Sequence, residues 1–199
     1  MKKLNYKWVT IVMCFLMVMV SLGFTSSTKS LFPDEIAKEL GTVRSLVAIG
    51  ESLRYIATAV VNIFFGFLVA KFGPKKLICS GFVLLTLSMV CYMLADNLIV
   101  IYIGGALLGM GLSFTATSMV GYVVNIWCTE NKGTIMGAIL ASNGIGGAIA
   151  VQIAGRLINP EVTGSYRKAY FMISCVLFAT LIILLIFLRD SLKIMLSRR

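Results

Sequence analysis

The stretch LVAIGESLRYIATAVVNIFFGFLVA, from Leu46 to Ala70, decides the fold. As a helix rising 1.5 Å per residue it is long enough to cross the ~30 Å hydrocarbon core of a bilayer. Yet it carries Glu51 and Arg54. An ionised side chain inside a membrane helix costs about 2.5–3.5 kcal/mol on insertion scales, so it faces a partner or a wet cavity. Glu51, Arg54, Tyr55, Thr58 and Asn62 recur at helical spacing as a polar stripe, which Gly66 continues. The opposite face, with Val60, Ile63, Phe64 and Phe67, suits lipid or helix packing. Glu51 and Arg54 stand three residues apart and can pair, which lowers the cost of burial and lets an arriving anion take Arg54 from Glu51. Arg54 lies about 24 Å above Ala70 and so in the outer leaflet. Two roles stay open for it: a solute contact, or an anchor that snorkels to the interface or sits in a structural ion pair.

The rest of the chain repeats this pattern. Of 199 residues, 59% are hydrophobic and 13% charged, and mean hydropathy is +0.95. A soluble domain is nearer 45–50% apolar and about 25% charged, so a water-soluble enzyme is excluded and the bilayer is the expected partner. The net charge of +10 lies between apolar runs, where the positive-inside rule accounts for it better than nucleic-acid binding does. The absence of histidine removes His metal ligands, His-based triads and a His proton relay. Cys14, Cys79, Cys91, Cys128 and Cys175 show no metal or redox spacing and read as small apolar packing residues. No cofactor or metal is expected. A membrane-embedded enzyme has no seat either, because Glu51 has no second acid near it on its helix.

Runs of roughly 20 apolar residues predict six transmembrane helices, at about 8–26, 46–70, 77–95, 98–121, 135–158 and 169–188. The fourth admits an extension to Ile126. The first has a basic start like a signal peptide, but the run is long and no clean A-x-A site follows, so it is retained as a span. With the N-terminus inside, the inner segments hold Lys2, Lys3, Lys7, Lys71, Lys75, Lys76, Lys132, Arg189, Lys193, Arg198 and Arg199. The outer segments hold Lys29, Lys38, Arg44, Arg156, Arg167 and Lys168. The bias places both termini in the cytoplasm, as an even number of spans requires. Two outer loops are longer than the rest: Ser27 to Ser45, where Asp34 to Leu40 can form a helical turn, and Asn159 to Lys168, with Pro160 and Gly164.

The fourth span carries Gly104, Gly105, Gly109 and Gly111, then Ser113 and Thr117. The glycines read as a close-packing face. Ser113 and Thr117, one turn apart, either line a cavity or bond back to their own helix. The fifth span carries Gly137, Ala141, Asn143, Gly144, Gly146 and Gly147. Asn143 either bonds across helices or touches solute; Gln152 lies roughly opposite it on the helix.

Between spans two and three the chain reads GFLVAKFGPKKL, Gly66 to Leu77. Gly73-Pro74 forces a turn, and Lys71, Lys75 and Lys76 hold it in the cytoplasm. This loop resembles the signature G-x-L-a-D-R-x-G-R-K-x of the major facilitator superfamily. Gly66, Leu68, Lys71, Gly73, Lys75 and Lys76 match, with Lys for Arg at two of them. Gly73-Pro74 and the stretch Leu40 to Ser45 are similar to the branch of monocarboxylate porters and oxalate/formate antiporters, and Trp127 to Gly147 is similar to the start of helix five. The resemblance implies an all-α membrane protein, one six-helix half of a major facilitator fold, with Arg189 to Arg199 beginning the central cytoplasmic loop. It also implies that helices one and four line the cavity and that helix two borders the other half. Gly66, Ala70, Lys71, Gly73, Lys75 and Lys76 would form the gating loop. The family's acidic residue there, which contacts the other half to hold the cytoplasmic side shut, is Ala70 in this chain.

The expected function is secondary transport of a small solute in the cell membrane, an organic anion such as a monocarboxylate or dicarboxylate. Arg54 and Glu51 would carry the charge, with Tyr55, Thr58, Asn62, Ser113, Thr117 and Asn143 along the path, coupled to a proton or a counter-anion. Alternating access needs two halves, supplied by a homodimer or a separately encoded half. The competing expectation is a truncated, non-transporting half-carrier or a membrane interaction protein.

Overall fold

The computed structural model describes residues 2–128, 130–157 and 166–196. They are all-helical: α1 (Lys2–Val18), α2 (Pro33–Glu39), α3 (Arg44–Phe72), α4 (Pro74–Met93), α5 (Leu98–Thr115), α6 (Thr117–Trp127), α7 (Lys132–Leu157) and α8 (Tyr166–Leu196). Among the described residues five helices are long and apolar enough to cross a membrane, counting α5 and α6 as one, and the shorter Trp8–Phe24 is a further apolar helix. The short second half of the outer loop, expected at Asp34 to Leu40, is α2. The loop expected at Asn159 to Lys168 falls mostly outside the described residues. The sixth helix continues past Leu188 to Leu196, where the sequence had suggested the start of a loop.

Helix ends follow local chemistry. Gly73 takes φ +78° between α3 and α4, a conformation that glycine adopts without a Cβ penalty, and Pro74 then opens α4 at a first-turn position where its missing N–H costs nothing. Asn97 caps α5 by accepting from the Val100 N–H at 3.1 Å.

Two membrane helices are interrupted. The first passes from α1 into a π-helical turn, Met19–Phe24. The fourth breaks at Ala116, which separates α5 from α6. The interruptions meet: the fully buried Ser21 hydroxyl on the π-turn donates to the Thr115 carbonyl at 3.4 Å. Apolar sequence gives no sign of either, because every residue involved is still compatible with a membrane helix.

Within a bilayer, helix association rests on close packing and interhelical hydrogen bonds. Here α3 lies along α5, α5 along α4, α4 along α8, and the π-turn with α1 along α7. Ser88 of α4 donates to the Gly104 carbonyl at 2.6 Å, and Ser142 of α7 to the Phe15 carbonyl at 3.0 Å. The core runs through Phe82, Leu85 and Met89 of α4, Leu108 of α5, and Ile173 and Leu177 of α8. By contrast α3 exposes Ile56, Val60, Ile63, Phe64 and Phe67.

Candidate functional site

Glu51, Arg54 and Tyr55 of the α3 stripe belong to one ion cluster at the end of the bundle that carries α2. Glu51 lies between two cations. Its Oε2 is 2.8 Å from Arg54 Nε, and its Oε1 is 2.5 Å from Lys29 Nζ. The Arg54 contact is ionic, since the Nε–H is not aligned on the carboxylate as a hydrogen bond. Lys29 also donates to the Tyr92 hydroxyl at 2.8 Å. The Arg54 guanidinium stands 4.2 Å over the Tyr55 ring, a cation–π contact, and reaches Ser26 Oγ at 3.4 Å. Tyr92 in turn stacks on Tyr170 of α8 with centroids 5.3 Å apart.

Both cations are nearly out of solvent, at 8% exposure each, while Glu51 is 35% exposed. The group therefore holds two buried positive charges against one carboxylate. A cavity of about 380 Å³ opens beside it, lined by Lys29, Glu51, Arg54, Tyr55, Tyr92 and Tyr170 among others. Its remaining walls include Phe32, Pro33, Ile36 and Ile101, so it offers an anion-seeking end and an apolar end. Lys29 sits on a 3-10 turn, Thr28–Leu31, just past the first membrane helix. Burial pushes its ammonium down from 10.5 to about 8, Arg54 pushes the same way, and Glu51 resists.

The close approach of α3 to α5 sets this geometry. A Cβ at Gly105 would overlap the Gly50 carbonyl oxygen, and one at Gly109 would overlap that of Arg54. Thr58 donates to the Arg54 carbonyl at 2.9 Å and to the Gly109 carbonyl at 3.1 Å. Ser113 donates to the Gly109 carbonyl at 3.0 Å and to the Thr58 carbonyl at 3.3 Å. Thr58 and Ser113 thus sit in the seam rather than on the cavity wall. The seam backs the helix turn that presents Arg54.

The other expected site residues are dispersed. Asn62 is exposed and accepts from Ser118 Oγ at 3.1 Å. Thr117 is exposed and separated from Ser113 by the break at Ala116. Asn143 is half-buried on α7, with a buried Oδ1 that has no hydrogen-bond partner among the described residues. Gly66, Ala70, Lys71, Gly73, Lys75 and Lys76 lie toward the opposite end of α3 and in its turn, about 18 Å or more from Arg54 along the helix. There Lys71 stands over the Phe67 and Phe72 rings at 5.7 and 5.6 Å. Lys29, Tyr92 and Tyr170 are the residues that sequence reasoning missed. Lys29 had counted only as one positive charge of an outer loop. It is 22 positions from Glu51, and no periodicity links a turn to a helix.

The profile of the Major Facilitator Superfamily matches residues 13–196. The chain belongs to the major facilitator superfamily. It is an integral membrane protein. It is similar to the uncharacterized MFS-type transporter YcxA of Bacillus subtilis, 25% identical over 182 residues, covering 91% of this chain and 44% of YcxA. It is also similar to the proton-coupled antiporter flippase LtaA of two Staphylococcus epidermidis strains, 30% identical over 171 residues, covering 83% of this chain and 41% of LtaA. The chain thus spans less than half the length of these major facilitator relatives.

Proposed function

We propose that this chain forms one six-helix half of a secondary transporter and that its solute is a small organic anion, such as a monocarboxylate or dicarboxylate. One observation carries the reading: two buried cations, Lys29 and Arg54, share a single carboxylate beside a cavity. A buried charge left without a partner is strongly unfavourable, so an anion entering the cavity completes the cluster. Arg54 and Lys29 attract the solute, the Tyr92 hydroxyl has a hydrogen to donate, and the apolar wall holds the solute's body. Glu51 is the one carboxylate among the cavity-lining residues. The proton coupling named for LtaA suits it as the proton carrier here, and exchange against a counter-anion is the alternative coupling.

Alternating access would pair this half with a second six-helix unit, either another copy or a separately encoded half, across the exposed face of α3. The protein would lie in the cell membrane with both termini in the cytoplasm, as a carrier rather than an enzyme.

Proteoliposome uptake tests the proposal. The purified chain, alone or with a co-expressed second half, should accumulate labelled mono- or dicarboxylates above empty vesicles. Arg54→Gln and Lys29→Gln should each abolish uptake while leaving membrane insertion intact. No uptake by either preparation would support the non-transporting half-carrier instead. Uptake that is unchanged in Arg54→Gln would reduce Arg54 to an anchor.

A further inference from the structure

A second ion cluster, outside the cavity, ties down the segment that covers it. The seven-residue α2 borders the cavity: Pro33 and Ile36, with Phe32 just before them, form part of its wall. Its underside is apolar: Phe32 and Ile36 are essentially buried, and the Phe32 ring packs on Tyr170 with centroids 4.5 Å apart. Tyr170 stacks on Tyr92, whose hydroxyl accepts from Lys29. A continuous row of rings therefore connects α2 to the buried cation.

The C-terminal end of α2 is held from the start of α8. Arg167, at the start of α8, reaches Glu39 Oε1 at 2.7 Å and Asp96 Oδ1, in the turn before α5, at 3.1 Å. One guanidinium thereby joins α2, α8 and the α4–α5 turn. At its near end α2 has only the exposed pair Asp34–Arg44, at 3.3 Å, which contributes little in water. Immediately after α2 the chain turns at Gly41, with φ +60° and open space around it. There the Gly41 and Thr42 N–H groups bond back to the Lys38 and Ala37 carbonyls, at 3.3 and 2.9 Å, which caps the helix. The segment thus combines an apolar underside on the cavity wall with an ion-pair network at its C-terminal end.

We propose that α2 is a lid over the Lys29–Glu51–Arg54 cavity, latched by the grip of Arg167 on Glu39 and Asp96. The lid's purpose rests on the reading of the cavity as a solute site, but its opening can be measured with no solute present. With the latch closed, Phe32 and Ile36 seal the cavity wall. When Arg167 releases Glu39, the C-terminal end of α2 lifts and the cavity communicates with water at that end.

The test is thiol labelling in lipid nanodiscs, where both faces of the protein are accessible. A Val47→Cys reporter lies buried on the cavity wall and is treated with a charged methanethiosulfonate. Arg167→Gln and Glu39→Gln should each speed labelling of this reporter about fivefold or more, the scale of losing one ion-pair network. Arg167→Lys, which keeps the charge, should restore most of the slow rate. The native Cys14, buried in α1, should label no faster in any of these variants. Unchanged labelling at position 47 in Arg167→Gln would overturn the lid. So would equal acceleration at Cys14, which signals general loosening. A lid that opens as described in a protein that transports no carboxylate would refute the solute assignment and leave the lid standing.

Discussion

Helices α5 and α7 are both rich in glycine, and they use it differently. In α5, Gly105 and Gly109 receive the backbone of α3, and Gly111 receives Gly81 and Leu85 of α4. In α7, Gly146 receives Met19 of the π-turn and Gly147 receives Ser27, three residues past its end. Around Gly133, Gly137 and Gly144, however, a Cβ would meet nothing within 4 Å among the described residues. A glycine shows that a backbone can be approached closely; whether another helix takes up the approach depends on where the neighbouring helices run. The difference also bears on function, because the α5 seam presses against the Arg54 carbonyl and so positions the cation cluster. The open part of α7 positions nothing in the cluster.

The largest expected effect tests that seam. Gly109→Val drives a side chain into the Arg54 carbonyl, and overpacking of this kind costs about 3 kcal/mol or more. Thermal unfolding in detergent should show a clear drop in Tm, and binding or uptake should fall with it. If Gly109→Val melts like the parent, the close contact of α3 with α5 is wrong.

The next effect tests what the seam delivers. Glu51→Gln leaves Lys29 and Arg54 without their shared carboxylate. Removing one partner of a fully buried pair costs about 3–5 kcal/mol. Because Glu51 is 35% exposed, a smaller loss, about 2 kcal/mol, is expected in chemical denaturation. An anion such as benzoate at millimolar concentration should recover part of that stability, by binding the folded form only. Stabilisation of the parent equal to that of the variant would show that the anion does not act at this cluster.

A smaller, pH-dependent effect comes from Lys29. Its folded value, about 8, lies below its ordinary 10.5. Between those values the unfolded state holds more protons at Lys29, so the contribution of this residue to stability should rise with pH across that window. The rise should appear in the difference between the parent's profile and that of Lys29→Met. Parallel profiles for the two proteins would show that Lys29 is not buried as described.

The smallest effect closes the comparison. Gly137→Ala places a methyl in open space on α7 and should change stability by less than about 0.5 kcal/mol. A loss comparable to that of Gly109→Val would reveal a partner helix against α7.

The apolar runs, the Gly73–Pro74 turn and the pairing of Glu51 with Arg54 were legible because each rests on neighbours within one helix or turn. The break at Ala116 was not, since Thr115, Ala116 and Thr117 all suit a membrane helix and the interruption is matched only by the π-turn facing it. Thr58 and Ser113 read as path residues because a hydroxyl on a helix has the same sequence signature whether it faces a cavity or a carbonyl of the next helix.

The sequence by itself determined that this chain lives in a membrane as a bundle of apolar helices, with a charged pair on the second. That much follows from the transfer cost of each side chain and the 3.6-residue repeat, which are local. Only the tertiary structure decided that Lys29 completes the pair, that Tyr92 and Tyr170 back it, and that α2 covers it. Those relations join residues of separate helices and turns, such as Lys29 and Tyr92, 63 positions apart, and contacts of that kind are set by which helix backbones can approach one another.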